Sequence, residues 1–196
     1  MKKIGGYIMK LAVFCGSRYG KEEKYKKLAE QVGEYIADVG AELVYGGSIS
    51  GLMGAVSDAV IKKNGNVTGI YPRGLFADEV PREDVTEFIF TDTLDERKQL
   101  LINKSDAYLV LPGGLGTLEE LSQVLSASSI GLIPAKPVAI LDIDGFYHSF
   151  IEFLINASNE AFIDPEATKH LLISADYHSL IDKICCEVAG EGVVAS

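Results

Sequence analysis

Short apolar runs rich in β-branched residues alternate along the chain with longer segments of helical period. That rhythm is the signature of a parallel sheet covered by helices on both faces. It predicts strands at Lys10–Cys15, Glu42–Tyr45, Val67–Tyr71, Glu87–Thr91, Ala107–Leu111 and Pro137–Leu141. Helices are predicted at Lys21–Asp38, Gly51–Lys63, Leu94–Asn103, Leu118–Ser129, Gly145–Asn159 and Tyr177–Val188. The least regular stretch, Pro72 to Thr86, holds two prolines and mixed charge, and reads as a loop placed to cover a site.

At 196 residues the chain has material for one core. Residues 9–190 are read as a single domain, 1–8 as a flexible extension and 191–196 as a C-terminal tail. With 47% hydrophobic and 23% charged residues the sequence lies far from the composition of disordered chains. A formal net charge of -10 argues against broad electrostatic binding to nucleic acid or to anionic membranes. No uncharged stretch reaches the roughly 20 apolar residues of a membrane span. Cys15, Cys185 and Cys186 have no metal-ligand spacing and do not form a disulfide framework. A cytoplasmic protein with reduced thiols and no metal is expected.

Three of the predicted strands run into glycine-rich turns: Cys15-Gly16-Ser17, Gly46-Gly47-Ser48-Ile49-Ser50-Gly51 and Pro112-Gly113-Gly114-Leu115-Gly116-Thr117. In a parallel sheet these turns share the carboxyl edge, where open α/β folds bind ligands. Glycine allows close backbone approach, and a following helix offers unpaired N–H groups and the positive end of its dipole. One such turn alone reads equally well as a simple chain reversal. Three together point to a phosphorylated ligand. Neither the dinucleotide fingerprint nor the P-loop pattern is present, which argues against an ordinary NAD enzyme or P-loop NTPase.

Two Thr-x-x-Glu segments, Thr93 to Glu96 and Thr117 to Glu120, have the form of capping boxes. The second follows the last glycine turn, and Arg97-Lys98 follows the first, so Glu120 serves either as a cap or as a carboxylate facing Arg97 across a pocket. His148, His170 and His178 are scattered and read as structural or surface residues. Asp142-Ile143-Asp144-Gly145 lacks the rest of a calcium loop.

Taken in order, Phe14-Cys15-Gly16-Ser17, Val44-Tyr45-Gly46-Gly47-Ser48, Gly51-Leu52-Met53-Gly54, Glu96-Arg97-Lys98 and Pro112 to Glu120 resemble the Lonely Guy family of cytokinin riboside 5'-monophosphate phosphoribohydrolases. The similarity runs from about Leu11 to Ile173. It implies a Rossmann-like fold, a homodimer, and cofactor-free hydrolysis of an adenine-type nucleoside 5'-monophosphate to free base and ribose 5-phosphate. On the matching positions, Arg97 and Glu120 are the implied catalytic pair, and Gly113, Gly114, Gly116 and Thr117 the phosphate cradle. Glu79, Lys98, Glu119 and Ser126 fall on positions that line the family's substrate pocket, and Ser17 and Gly47 are placed with them by their turns. Asp95, Ala127 and Ser129 depart from the family's common residues, and the connection Ile130 to Pro137 is one residue longer than usual.

Cleaving an N-glycosidic bond develops positive charge on the ribose, which a carboxylate stabilises. Glu120 is expected to supply that charge, orient the ribose hydroxyls or activate water. Arg97 is expected to anchor the phosphate or assist departure of the base. Two other readings stand beside this one. A non-catalytic nucleotide carrier needs the glycine turn without the Arg97 and Glu120 pair, and a lysine decarboxylase needs pyridoxal phosphate on a lysine such as Lys98 or Lys104.

Overall fold

Seven parallel strands form the centre of the molecule, in the spatial order β4-β3-β2-β1-β5-β6-β7. They are β1 (Lys10–Phe14), β2 (Glu42–Tyr45), β3 (Val67–Pro72), β4 (Glu87–Thr91), β5 (Ala107–Val110), β6 (Val138–Leu141) and β7 (Leu171–Ser174). The computed structural model describes residues 8–75 and 79–194. The helices are α1 (Glu23–Asp38), α2 (Gly51–Lys62), α3 (Leu94–Asn103), α4 (Leu115–Ser129), α5 (His148–Asn159) and α6 (Tyr177–Val194).

The central strands are buried along their length because both faces are covered, which is why they read as continuous apolar runs. On one face, α1, α2 and α6 pack Leu28, Val32, Ile36, Val56, Val60, Leu180 and Ile184 against Leu11, Val13 and Leu43. On the other, α3, α4 and α5 bring Leu101, Ile102, Leu121, Val124 and Ile151 against Phe14, Val44, Val110 and Ile140. The expected single α/β domain with helices on both faces is therefore the observed one.

Strand order reverses at β1, which pairs β2 on one side and β5 on the other, Leu11 opposite both Leu43 and Ala107. This is the topological switch point, where the turns leaving two neighbouring strands diverge to opposite faces and leave a crevice. The turns after β1 and β5 flank it. They are tied together, since Gly16 N–H donates to Pro112 O at 3.1 Å and Leu111 N–H to Phe14 O at 2.9 Å.

Several elements differ from the sequence expectation. β7 is a seventh strand, pairing Leu171 with Val138 through Ser174 with Leu141. It is short and only partly buried, and its apolar run, Leu171 to Ile173, is too brief to stand out as a strand. α4 begins at Leu115, one turn before Leu118, and draws Gly116 and Thr117 into the helix. The predicted helix from Gly145 is split into a short 3-10 turn, Ile143–Gly145, and α5, because Asp144 (φ 50°) and Gly145 (φ 72°) have left-handed backbone. α6 continues through the first four residues of the expected tail, and the expected extension lies, apart from Ile8, outside the described residues.

Candidate active site

The crevice at the switch point is a cavity of about 530 Å³. Of the residues singled out in the sequence, Ser17, Glu79, Arg97, Gly113, Gly114, Gly116, Thr117 and Glu120 line it. Gly47, Lys98, Glu119 and Ser126 do not.

The glycine-rich turn after β5 forms one wall. Its backbone is folded inward by Gly113, where a Cβ would run into the Thr117 side chain. A Cβ on Gly114 or Gly116 would meet no heavy atom within 4 Å, so these two glycines face open space. Gly114 is the N-cap of α4 and provides no side-chain cap. The N–H groups of the first helical turn lack intrahelical acceptors, and together with the helix dipole they favour an anion at that point.

This start also decides between the two readings of Glu120. Thr117 lies inside the helix and not at its cap, so the capping-box reading fails here. The other Thr-x-x-Glu segment is a true cap: Glu96 N–H donates to Thr93 Oγ1 at 3.1 Å, and Asp92 N–H donates back to Glu96 Oε2 at 2.9 Å.

Released from capping, Glu120 turns to α3. Arg97 Nη1 donates to Glu120 Oε1 at 2.9 Å, and Arg97 Nε donates to Ile70 O at 3.2 Å. Both side chains are largely shielded, 12% and 13% exposed. Burial pushes the Glu120 carboxyl above its ordinary range, opposed by the pull of Arg97. The guanidinium fits because β2 ends in glycine: a Cβ at Gly46 would collide with Arg97 Nη2 and would stand 2.8 Å from Met53 Sδ.

Lys98 and Glu119 pair in the same direction one residue further out, Nζ to Oε1 at 2.9 Å, with Asp95 also 2.9 Å from the ammonium. Consecutive residues of α3 thus meet consecutive residues of α4, the inner pair at the cavity and the outer pair at the surface. Ser126 lies farther along α4 on its exposed side. Gly47 (φ 73°) serves the fold, its carbonyl accepting from Arg82 N–H at 2.8 Å. Its neighbour Gly46 is the one that reaches the cavity.

The irregular connection between β3 and β4 does reach the site, in part. Tyr71 Oη donates to Glu79 O at 3.0 Å, and Ile49 N–H donates to Val80 O at 3.0 Å, which fastens the segment to the turn after β2. Residues 76–78 of that predicted loop lie outside the described residues.

Other lining residues carried no local signal in the sequence. Tyr19, Tyr25 and Phe146 come from separate segments, with the Tyr25 and Phe146 rings edge to face at 5.8 Å. Cys15 lines the floor, where burial and the neighbouring Glu120 push its thiol upward and keep it protonated. Among the described residues no group of three His, Cys, Asp or Glu side chains is arranged to hold a metal ion. No helix among them is long and apolar enough to cross a membrane.

Fold and crevice together define a doubly wound parallel α/β protein whose ligand cavity opens at a glycine-capped helix. Comparison with known proteins narrows this. Residues 53–184 match the family described as "Possible lysine decarboxylase". A probable cytokinin riboside 5'-monophosphate phosphoribohydrolase of Oryza sativa subsp. japonica is 40% identical over 176 residues, covering 89% of this chain and 77% of the relative. A cytokinin riboside 5'-monophosphate phosphoribohydrolase of Arabidopsis thaliana is 39% identical over 173 residues, covering 88% and 80%. The chain belongs to this family, the Lonely Guy phosphoribohydrolases. Among solved structures, the molybdenum cofactor binding protein of Rippkaea orientalis shares the fold, with a TM-score of 0.69 over 93% of this chain and 98% of that one at 23% identity.

Proposed function

We propose that the protein is a nucleoside 5'-monophosphate phosphoribohydrolase, acting on adenine-type nucleotides such as cytokinin riboside 5'-monophosphates and AMP. The observation that carries this reading is the Arg97 and Glu120 pair set in the cavity beside the glycine-capped start of α4. The relatives' names agree with it.

In this reading the 5'-phosphate sits on the first turn of α4, against Gly113, Gly114, Gly116 and Thr117, with Ser17 across the crevice. The ribose then lies towards Glu120. The bond from C1' to the base nitrogen breaks, water adds its oxygen to C1', and the departing base takes up a proton. Glu120 stabilises the positive charge that develops on the ribose, and Arg97 holds the carboxylate in place. Glu79 contributes from the β3–β4 connection, while Lys98 and Glu119 act from outside the cavity by joining α3 to α4.

A decarboxylase would need a lysine in the cavity to carry pyridoxal phosphate. Lys98 lies outside the lining and is held between Asp95 and Glu119, and Lys104 is paired with Glu87 at 3.0 Å. The residues present do not fit that cofactor.

We further read the protein as a cytoplasmic homodimer, for which the exposed Ile130, Leu132 and Phe162 supply apolar surface. Sedimentation of the purified chain tests this. The activity is tested by incubating the protein with AMP and an N6-substituted AMP and resolving free base and ribose 5-phosphate by chromatography, with nucleotide binding measured in parallel. Binding without any release of base would make the protein a carrier.

A further inference from the structure

The glycine-rich turn has an inner side as well as the side that faces the cavity. On the inner side Pro112 O accepts from Gly16 N–H at 3.1 Å, and Leu111 O accepts from Tyr147 Oη at 2.7 Å. One buried hydroxyl therefore holds the carbonyl that leads into Pro112 and the turn.

Tyr147 reaches this place through a tight turn after β6. Its N–H donates to Asp142 Oδ1 at 2.6 Å, and the left-handed backbone of Asp144 and Gly145 reverses the chain between them. The ring is 3% exposed and packs in the core with Phe14, Val110 and Leu121. A phenylalanine would fill the same space. Burying the hydroxyl is unfavourable unless it is bonded, and the group that bonds it, Leu111 O, leads into the glycine-rich turn. The residue before it, Phe146, lines the cavity, so this short segment touches the site at two points.

We propose that Tyr147 is a positioning residue for anion binding: its hydroxyl fixes the Leu111 carbonyl at the entry to the Pro112 to Thr117 turn, and so holds the outward N–H groups of the α4 start at the spacing a phosphate monoester requires. The inference rests on the phosphate placement proposed above, but it does not depend on hydrolysis.

Calorimetric titration with inorganic phosphate, ribose 5-phosphate and AMP tests it on the full chain, comparing wild type with Tyr147→Phe and Tyr108→Phe. Tyr108 is the control, since its buried hydroxyl also donates to a backbone carbonyl, Ile102 O at 3.3 Å, away from the turn. Tyr147→Phe is expected to weaken all three anions on the order of tenfold, with Tyr108→Phe binding as wild type. Wild-type affinity in Tyr147→Phe, or an equal loss in Tyr108→Phe, overturns the proposal. Should Tyr147→Phe not fold, Asp142→Ala, which removes the acceptor of the Tyr147 N–H, carries the same test: weaker phosphate binding supports it and unchanged binding overturns it. If wild type releases no base from AMP, the hydrolase reading fails while the titrations still decide the role of Tyr147.

Discussion

Arg97 and Glu120 meet at 2.9 Å across the gap between α3 and α4, with the arginine also anchored on the Ile70 carbonyl. The contact has two ends of different character. Arg97 spends two of its donors on fixed protein acceptors, whereas Glu120 is the carboxylate on the cavity wall. Glu120→Gln keeps an acceptor for Arg97 and removes the charge. Its hydrolysis of AMP should fall by about 10² to 10³ with nucleotide binding retained. Full activity in this variant would remove Glu120 from the mechanism.

The pH profile should carry the mark of burial. Because the Glu120 carboxyl is pushed above its ordinary value of 4.5, activity that needs the carboxylate should decline at a pH above that value as the solution is acidified. Stability has the opposite dependence: the folded form binds more protons in that window, so ionisation of Glu120 destabilises it as pH rises. A kcat/KM profile locates the acid limb. An acid limb at or below the ordinary carboxylate value would contradict the assignment.

Gly46 sets the space for the guanidinium. In Gly46→Ala the new methyl would meet Arg97 Nη2 and Met53 Sδ, so Arg97 must leave its place. Such overpacking costs about 1–3 kcal/mol in stability. Activity should fall by more than the unfolded fraction explains, which thermal melts and rates on the same samples will reveal.

The two Thr-x-x-Glu segments should respond differently to alanine. Thr93→Ala removes a cap and should cost about 1 kcal/mol in urea unfolding, with nucleotide binding nearly unchanged. Thr117→Ala removes a buried side chain packed beside Gly113, at the anion-facing end of α4, and should weaken phosphate binding. Equal effects of the two on binding would argue against the distinction.

Much of this architecture is legible in the sequence because buried parallel strands must be apolar throughout. β7 escapes because an edge strand with partial exposure has no such constraint, and the start of α4 escapes because Gly116 disguises a helical first turn as loop. The motifs disclose Arg97, Glu120 and the glycine turn. They do not disclose Tyr19, Tyr25 and Phe146, whose proximity is created by tertiary packing alone. They set Arg97 and Glu120 apart as the catalytic pair but also put Lys98 and Glu119 on the pocket lining, and only the rotation of α3 and α4 shows that this second pair lies outside it.

The reversal of strand order at β1 also has a consequence for how the molecule acquires activity. β1 and β5 are neighbours although Lys10 N–H and Asp106 Oδ2, which join them at 2.7 Å, are 96 positions apart. The cavity walls therefore come from segments between Val13 and Phe146 and meet only when distant strands have docked. Such non-local pairings are slow to form compared with helices. During refolding, helical signal should return ahead of anion binding, making ligand capture a late reporter of the completed sheet.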